Sequence, residues 1–176
     1  MNLSEEILKE HSKKNTIRIV SYIGNDKKRF NDLLTIFLKG DYLIAQRSSW
    51  ILSYCAIANP SFLKPYFKHL IKKIKEPNIH DAVKRNLVKI WAETPIPEKY
   101  YGEIYDICFG YLRTISEPVA IKIHSMTICE KITAIYPELQ LELKITIEDM
   151  MPFGAGGIIA RGKKVLRTLE KNQFIK

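Results

Sequence analysis

The sequence predicts an all-α fold, a solenoid built from antiparallel helix pairs. Three observations carry that reading. Apolar residues recur with helical spacing along the chain, and no stretch alternates apolar and polar residues between hairpin turns as strands do. The segments that join the helices are short, so consecutive helices must be antiparallel neighbours. A turn, a small apolar residue and a cation then recur at a fixed interval, which separates a solenoid from a simple bundle.

Taken in order, helices 3–10 and 12–23 form a degenerate N-terminal cap over residues 1–24. Asn25 is placed to cap helix 26–39, where Phe30, Leu33, Leu34, Phe37 and Leu38 follow i, i+3, i+4, i+7, i+8. Helix 42–58 follows a turn at Gly40-Asp41. Asn59 caps helix 60–75, with Pro60 at the first helical position, where a missing N–H costs nothing. That helix carries a wide apolar stripe through Phe62, Leu63, Tyr66, Phe67, Leu70, Ile71 and Ile74. Helices 80–93 and 97–113 come next. Ser116 is placed to cap helix 117–135, and helices 138–151 and 155–171 complete the chain.

The repeat is visible when four segments are superposed: GDYLIAQRSSWILSY (40–54), IHDAVKRNLVKIW (79–91), SEPVAIKIHSMTI (116–128) and GGIIARGKKVL (156–166). Their cations, Arg47, Arg85, Lys122 and Arg161, stand 38, 37 and 39 residues apart. Asp41, Asp81 and Glu117 precede the first three. Another amphipathic helix lies before each segment. A helix pair repeating near 40 residues is the mark of an α-solenoid.

Asp41…Arg47, Asp81…Val83-Lys84-Arg85 and Glu117…Ile121-Lys122 resemble the HEAT-repeat (armadillo-like) pattern. That pattern has an acid in the turn between helix A and helix B, then an aliphatic–cation step early in helix B. The fourth unit keeps Ala160-Arg161 but has glycines where the acid belongs. The resemblance covers residues 26–171, about four repeats by the period. It implies one right-handed domain over 1–176, with each helix B on the inner, concave surface.

Residues 154–164, GAGGIIARGKK, come close to a phosphate-binding loop. Lys164 stands where a Ser or Thr should hold magnesium, and the segment follows a helix where a P-loop needs a strand. The expected role of its glycines is a turn with positive φ.

Net charge is +9, and it is uneven. Residues 1–75 hold 14 Lys/Arg against 6 Asp/Glu, and residues 76–176 hold 14 against 13. A basic half favours an anionic partner. No apolar run is long enough to span a membrane, and the N-terminus lacks the apolar core of a secretory signal, so a cytoplasmic location is expected. Cys55, Cys108 and Cys129 read as buried thiols. His11, His69, His80 and His124 lack metal-ligand spacing, and no catalytic set, metal site or cofactor is assigned.

Two cation sets stand out. Arg47, Arg85, Lys122 and Arg161, with Lys84 and Lys89, either stitch neighbouring repeats together or face a bound anion. Lys64, Lys68, Lys72 and Lys75 share one face of helix 60–75, either as a solvated face or as a phosphate-tracking stripe. Trp50, Tyr54 and Trp91 lie on successive helix B segments and complete the expected concave-face binding set. They are distantly similar to the concave tryptophans of HEAT-like alkylpurine DNA glycosylases, which work beside an aspartate and an arginine. This chain departs in the carboxylate, because its two helices offer only Glu93 beyond the turn acids. The resulting expectation is a non-enzymatic binding or scaffold module for a protein or nucleic acid. The alternative is a nucleic-acid-binding relative of DNA alkylation repair proteins with weak or no glycosylase activity.

Overall fold

The computed structural model describes residues 1–173, which are helical without a strand. They fall into two compact units, one spanning Met1–Pro95 and a second beginning at Ile96.

The first unit contains α1 (Leu3–Lys9), α2 (Lys13–Ile23), α3 (Lys27–Lys39), α4 (Tyr42–Ala58), α5 (Pro60–Leu63), α6 (Phe67–Ile74) and α7 (Asp81–Glu93). Side chains start most of these helices by accepting orphan backbone N–H groups. Ser12 accepts from Asn15 N at 3.1 Å, and Asp41 accepts from Ile44 N at 2.9 Å. The cap of α3 is Asp26 and not Asn25; its carboxylate takes two N–H groups, from Lys28 and Arg29, which an amide oxygen holds less strongly. Asn59 does occupy the N-cap before Pro60 but makes no capping bond; its amide donates to Gly24 O instead.

The expected helix 60–75 is broken. Pro65 has no N–H to give, and Lys64–Tyr66 tighten into a 3-10 turn between α5 and α6. The apolar stripe survives the break, with Leu63, Phe67, Leu70, Ile71 and Ile74 all buried. Each such side chain contributes roughly 1.5–3 kcal/mol by leaving water. Asn78, at φ +58°, turns the chain from α6 into α7, a conformation that Asn tolerates better than most residues.

Two side-chain bonds fix how the pairs stack. Tyr66 OH donates to Asn31 Oδ1 at 3.0 Å, and Lys73 Nζ donates to Leu38 O at 3.4 Å, each spanning 35 residues. A constant offset means that α3 and the α6 segment run parallel. In the next layer Asn86 Nδ2 donates to Ser49 Oγ across 37 residues, so α4 and α7 run side by side as well. The interval read in the sequence is this layer-to-layer step.

Helix α4 touches α1, α2, α3 and α7. It manages this with small residues: Ser48, Ser49 and Ser53 are buried, and their hydroxyls bond backward to carbonyls of Ile44, Gln46 and Trp50. The neighbours can therefore approach closely without stranding a buried hydroxyl.

The second unit contains α8 (Tyr101–Arg113), α9 (Val119–Thr133), α10 (Gln140–Met150) and α11 (Gly156–Gln173), with α9 against the other three. Helices α8, α9 and α10 start without a side-chain cap. Prolines open them instead: Pro97 and Pro137 lead into 3-10 turns, and Pro118 is the N-cap of α9. Ser116 is thus not the cap; it lies two residues too early, because Pro118 sets the entry angle. Gln140 Nε2 donates to Thr133 O at 3.0 Å and closes the end of α9.

The glycines of 154–164 do not make a positive-φ turn. Gly24 is the glycine with positive φ among the described residues. Gly157 and Gly162 lie inside α11, where they admit close neighbours. A Cβ on Gly162 would sit 2.9 Å from Met151 Sδ, and one on Gly157 would sit 2.9 Å from Ile123 Cδ1.

Candidate functional site

In the first unit, Trp50 and Tyr54 are one turn apart on α4 and both are half-buried. The Lys89 ammonium on α7 lies 5.0 Å from the centre of the Tyr54 ring. Arg85 sits one turn before Lys89, is exposed, and has no hydrogen bond or ion pair among the described residues. The His11 ring stands 5.6 Å from that of Trp50. These residues form a patch of partly exposed aromatic faces beside two cations.

The other expected site residues are occupied internally. Arg47 Nη1 donates to Leu8 O in the last turn of α1 at 2.6 Å. Lys84 pairs with Asp81 at 2.9 Å. Trp91 is 0% exposed and belongs to the core, not to a binding face. Its indole fills space that no partner can reach. In the second unit Lys122 is 5% exposed and donates to Ile115 O at 3.3 Å, which tethers the turn before α9. Arg161 pairs with Glu130, joining α11 to α9. Arg47, Lys122 and Arg161 are therefore stitches between elements, and Arg85 is the repeat cation left facing water.

One feature escaped the sequence. In the second unit Ile115 and Phe153 are 96% and 93% exposed, and they line a cleft of about 720 Å³ with Leu112, Val119, Met150 and Ile158. The available signal was an apolar residue inside each of two turns, TIS and MPFG.

Burial pushes the thiols of Cys55 and Cys108 up to about 12, and it raises that of Cys129 well above its ordinary value. Such thiols are neither nucleophiles nor ligands. Among the described residues no group of His, Cys, Asp and Glu is placed to hold a metal ion, and no helix is long and apolar enough to cross a membrane.

The parallel offsets, the Asp41-capped turn and the internally bonded cations match one family. A family model described as a HEAT repeat domain matches residues 3–168. The chain belongs to the HEAT repeat family. No curated protein and no solved structure matches it. HEAT repeats generally serve as scaffolds for protein–protein interaction. In HEAT terms α3 and α6 are A helices, and α4 and α7 are B helices.

Proposed function

We propose that the chain works as one cytoplasmic domain, a non-enzymatic binding module that holds a partner macromolecule on its helix-B face. The patch of Trp50, Tyr54, Arg85 and Lys89 carries the reading. Its rings offer rigid apolar area at small entropic cost, and Arg85 adds a planar, undirected fork of donors. A protein segment with a carboxylate beside an apolar side chain is the partner it fits. No cofactor is part of this reading.

A second reading is supported by the same rings, because aromatic faces beside cations also stack bases. It makes the chain a nucleic-acid binder related to HEAT-like DNA alkylation repair proteins. Base excision does not follow from it. The α4 segment has no carboxylate, and those of α7, Asp81 and Glu93, stand at its two ends. The cation that forms as an alkylpurine leaves needs a fixed negative group close by.

Capture from native lysate, with and without nuclease, tests the proposal. Native protein should retain a partner through nuclease treatment, and Arg85→Glu with Lys89→Glu should lose it. A partner that the reversed variant holds equally well sinks the helix-B assignment. Release of free methylated base from alkylated duplex, abolished by Trp50→Ala, sinks the non-enzymatic part.

A further inference from the structure

The unspent charge of the first unit lies on its helix-A side. Lys64, Lys68 and Lys72 are exposed, and none has a hydrogen bond or ion pair among the described residues. Lys39 of α3 is likewise exposed, with a side chain that meets no partner among those residues, and Lys28 is exposed with its charge beside Asp26. Parallel stacking of α3 beside α6, fixed by the Tyr66–Asn31 and Lys73–Leu38 bonds, sets the two basic stripes next to each other. Asp32 is the carboxylate within α3, Asp26 at its start is paired with Arg29 at 3.2 Å, and Glu76 is committed to Lys73 at 2.8 Å. The helix-B side is different, because Arg47 and Lys84 are already engaged.

We propose that this helix-A face docks on the sugar–phosphate backbone of double-stranded nucleic acid without reading its bases. The goes-with chemistry is specific in what it lacks. Every free cation is a lysine, a compact point charge that asks for proximity and not for bidentate geometry. No large apolar side chain is exposed on α3, α5 or α6. A lipid surface held by more than charge would need apolar groups to insert, and a protein hot spot would need an aromatic or arginine anchor. Single strands would need large open rings for stacking, whereas Phe62 lies against Phe30 and Tyr66 is held by Asn31, which leaves the small His69 ring exposed on α6. Lys68 and Lys72 are about 6 Å apart along the helix, and duplex DNA presents one charge per about 1.7 Å of its axis. Any sequence therefore offers phosphates to such a stripe. This surface is separate from the Trp50 patch, and it stands or falls without it.

The test is fluorescence anisotropy with a labelled random-sequence DNA duplex across a salt series. Native protein should bind with a log–log salt slope of about −3 to −4, from three or four phosphate contacts at about 0.9 each. Lys68→Glu with Lys72→Glu should weaken binding at least tenfold at low salt and flatten the slope by about 1.8. Lys68→Arg with Lys72→Arg should bind like native protein. Lys163→Glu with Lys164→Glu, the same charge change on exposed lysines of α11, should stay within about twofold, and Arg85→Glu with Lys89→Glu reads the B side. Circular dichroism melts of all variants separate lost binding from lost folding. No duplex binding by the native chain overturns the proposal. Equal loss from the α6 and α11 reversals overturns it in favour of diffuse attraction. Loss only from the B-side reversal moves the nucleic-acid site to the Trp50 patch. Tighter binding to phosphatidylserine vesicles or to polyglutamate than to duplex gives the face to a membrane or an acidic protein.

Discussion

Asn86 donates its side-chain N–H to Ser49 Oγ at 2.9 Å, and Ser49 Oγ in turn donates to Gln46 O at 2.7 Å. Both residues are buried, so this relay ties one repeat to the next without water. Asn86→Ala should cost about 1–3 kcal/mol, the range for a broken buried hydrogen bond. Asn86→Asp should cost more at neutral pH, because a carboxylate cannot donate and its charge is out of water. Equilibrium urea unfolding reads both. A double-mutant cycle with Ser49→Ala should give a coupling of about 0.5 kcal/mol or more. Additive effects would mean that the bond does not link the helices.

The repeat cations should separate cleanly by stability. Arg47→Ala removes a donor from the end of α1 and should destabilise the first unit by about 1 kcal/mol, since a half-buried charged bond is partly screened. Arg85→Ala should change stability by less than about 0.5 kcal/mol, as expected of an exposed residue without partners. Thermal melts compare the two. If Arg85→Ala destabilises as much as Arg47→Ala, Arg85 is a stitch too and its place in the binding patch is lost.

The cation period was legible because it records the layer step, and the helices it implied fall close to the observed ones. What failed was local competition. Asp26 outbids Asn25 as a cap through its charge, Pro118 overrides Ser116, and Pro65 breaks a helix whose apolar stripe continues past it. The site was less legible, because helical phase gives a direction and not an internal partner. Arg47 and Arg85 share the motif, yet of the two only Arg47 bonds a helix end. Trp91 could have been assigned to the core. It stands six residues after its cation, and the equivalent place on α4 is Ser53, which is fully buried.

The thiols predict an alkaline limit. An ordinary thiol ionises near 9.0, whereas burial holds Cys55 and Cys108 protonated up to about 12. The folded state thus binds these protons more tightly than the unfolded chain does. Their contribution to stability is fully present below pH 9 and is lost as pH climbs from there through about 12. A disulfide-exchange reagent at pH 8 should label native protein only as fast as it opens, and denatured protein at once. Immediate labelling of the native chain would contradict the burial.

Gly157 and Gly162 of α11 should respond in opposite ways to alanine. In a helix interior, alanine gains up to about 1 kcal/mol over glycine. At Gly157 the new methyl meets Ile123 Cδ1 at 2.9 Å and Val119 Cγ1 at 3.7 Å. The near atom is the tip of a half-buried side chain and can rotate away, so Gly157→Ala should be neutral or slightly stabilising. At Gly162 the methyl meets Met151 Sδ at 2.9 Å, with Ile147 Cγ2 and Met151 Cγ both at 3.1 Å. Ile147 is buried without slack, so relief must come from α10 or from the turn that follows it. Overpacking of this kind costs about 1–3 kcal/mol, more than the helix gains, so Gly162→Ala should be net destabilising by about 1 kcal/mol. Urea midpoints at unchanged m-value compare the pair directly. Stabilisation by both substitutions would mean that α11 does not approach Met151 and Ile147 so closely, and that Gly162 has no packing reason to be glycine.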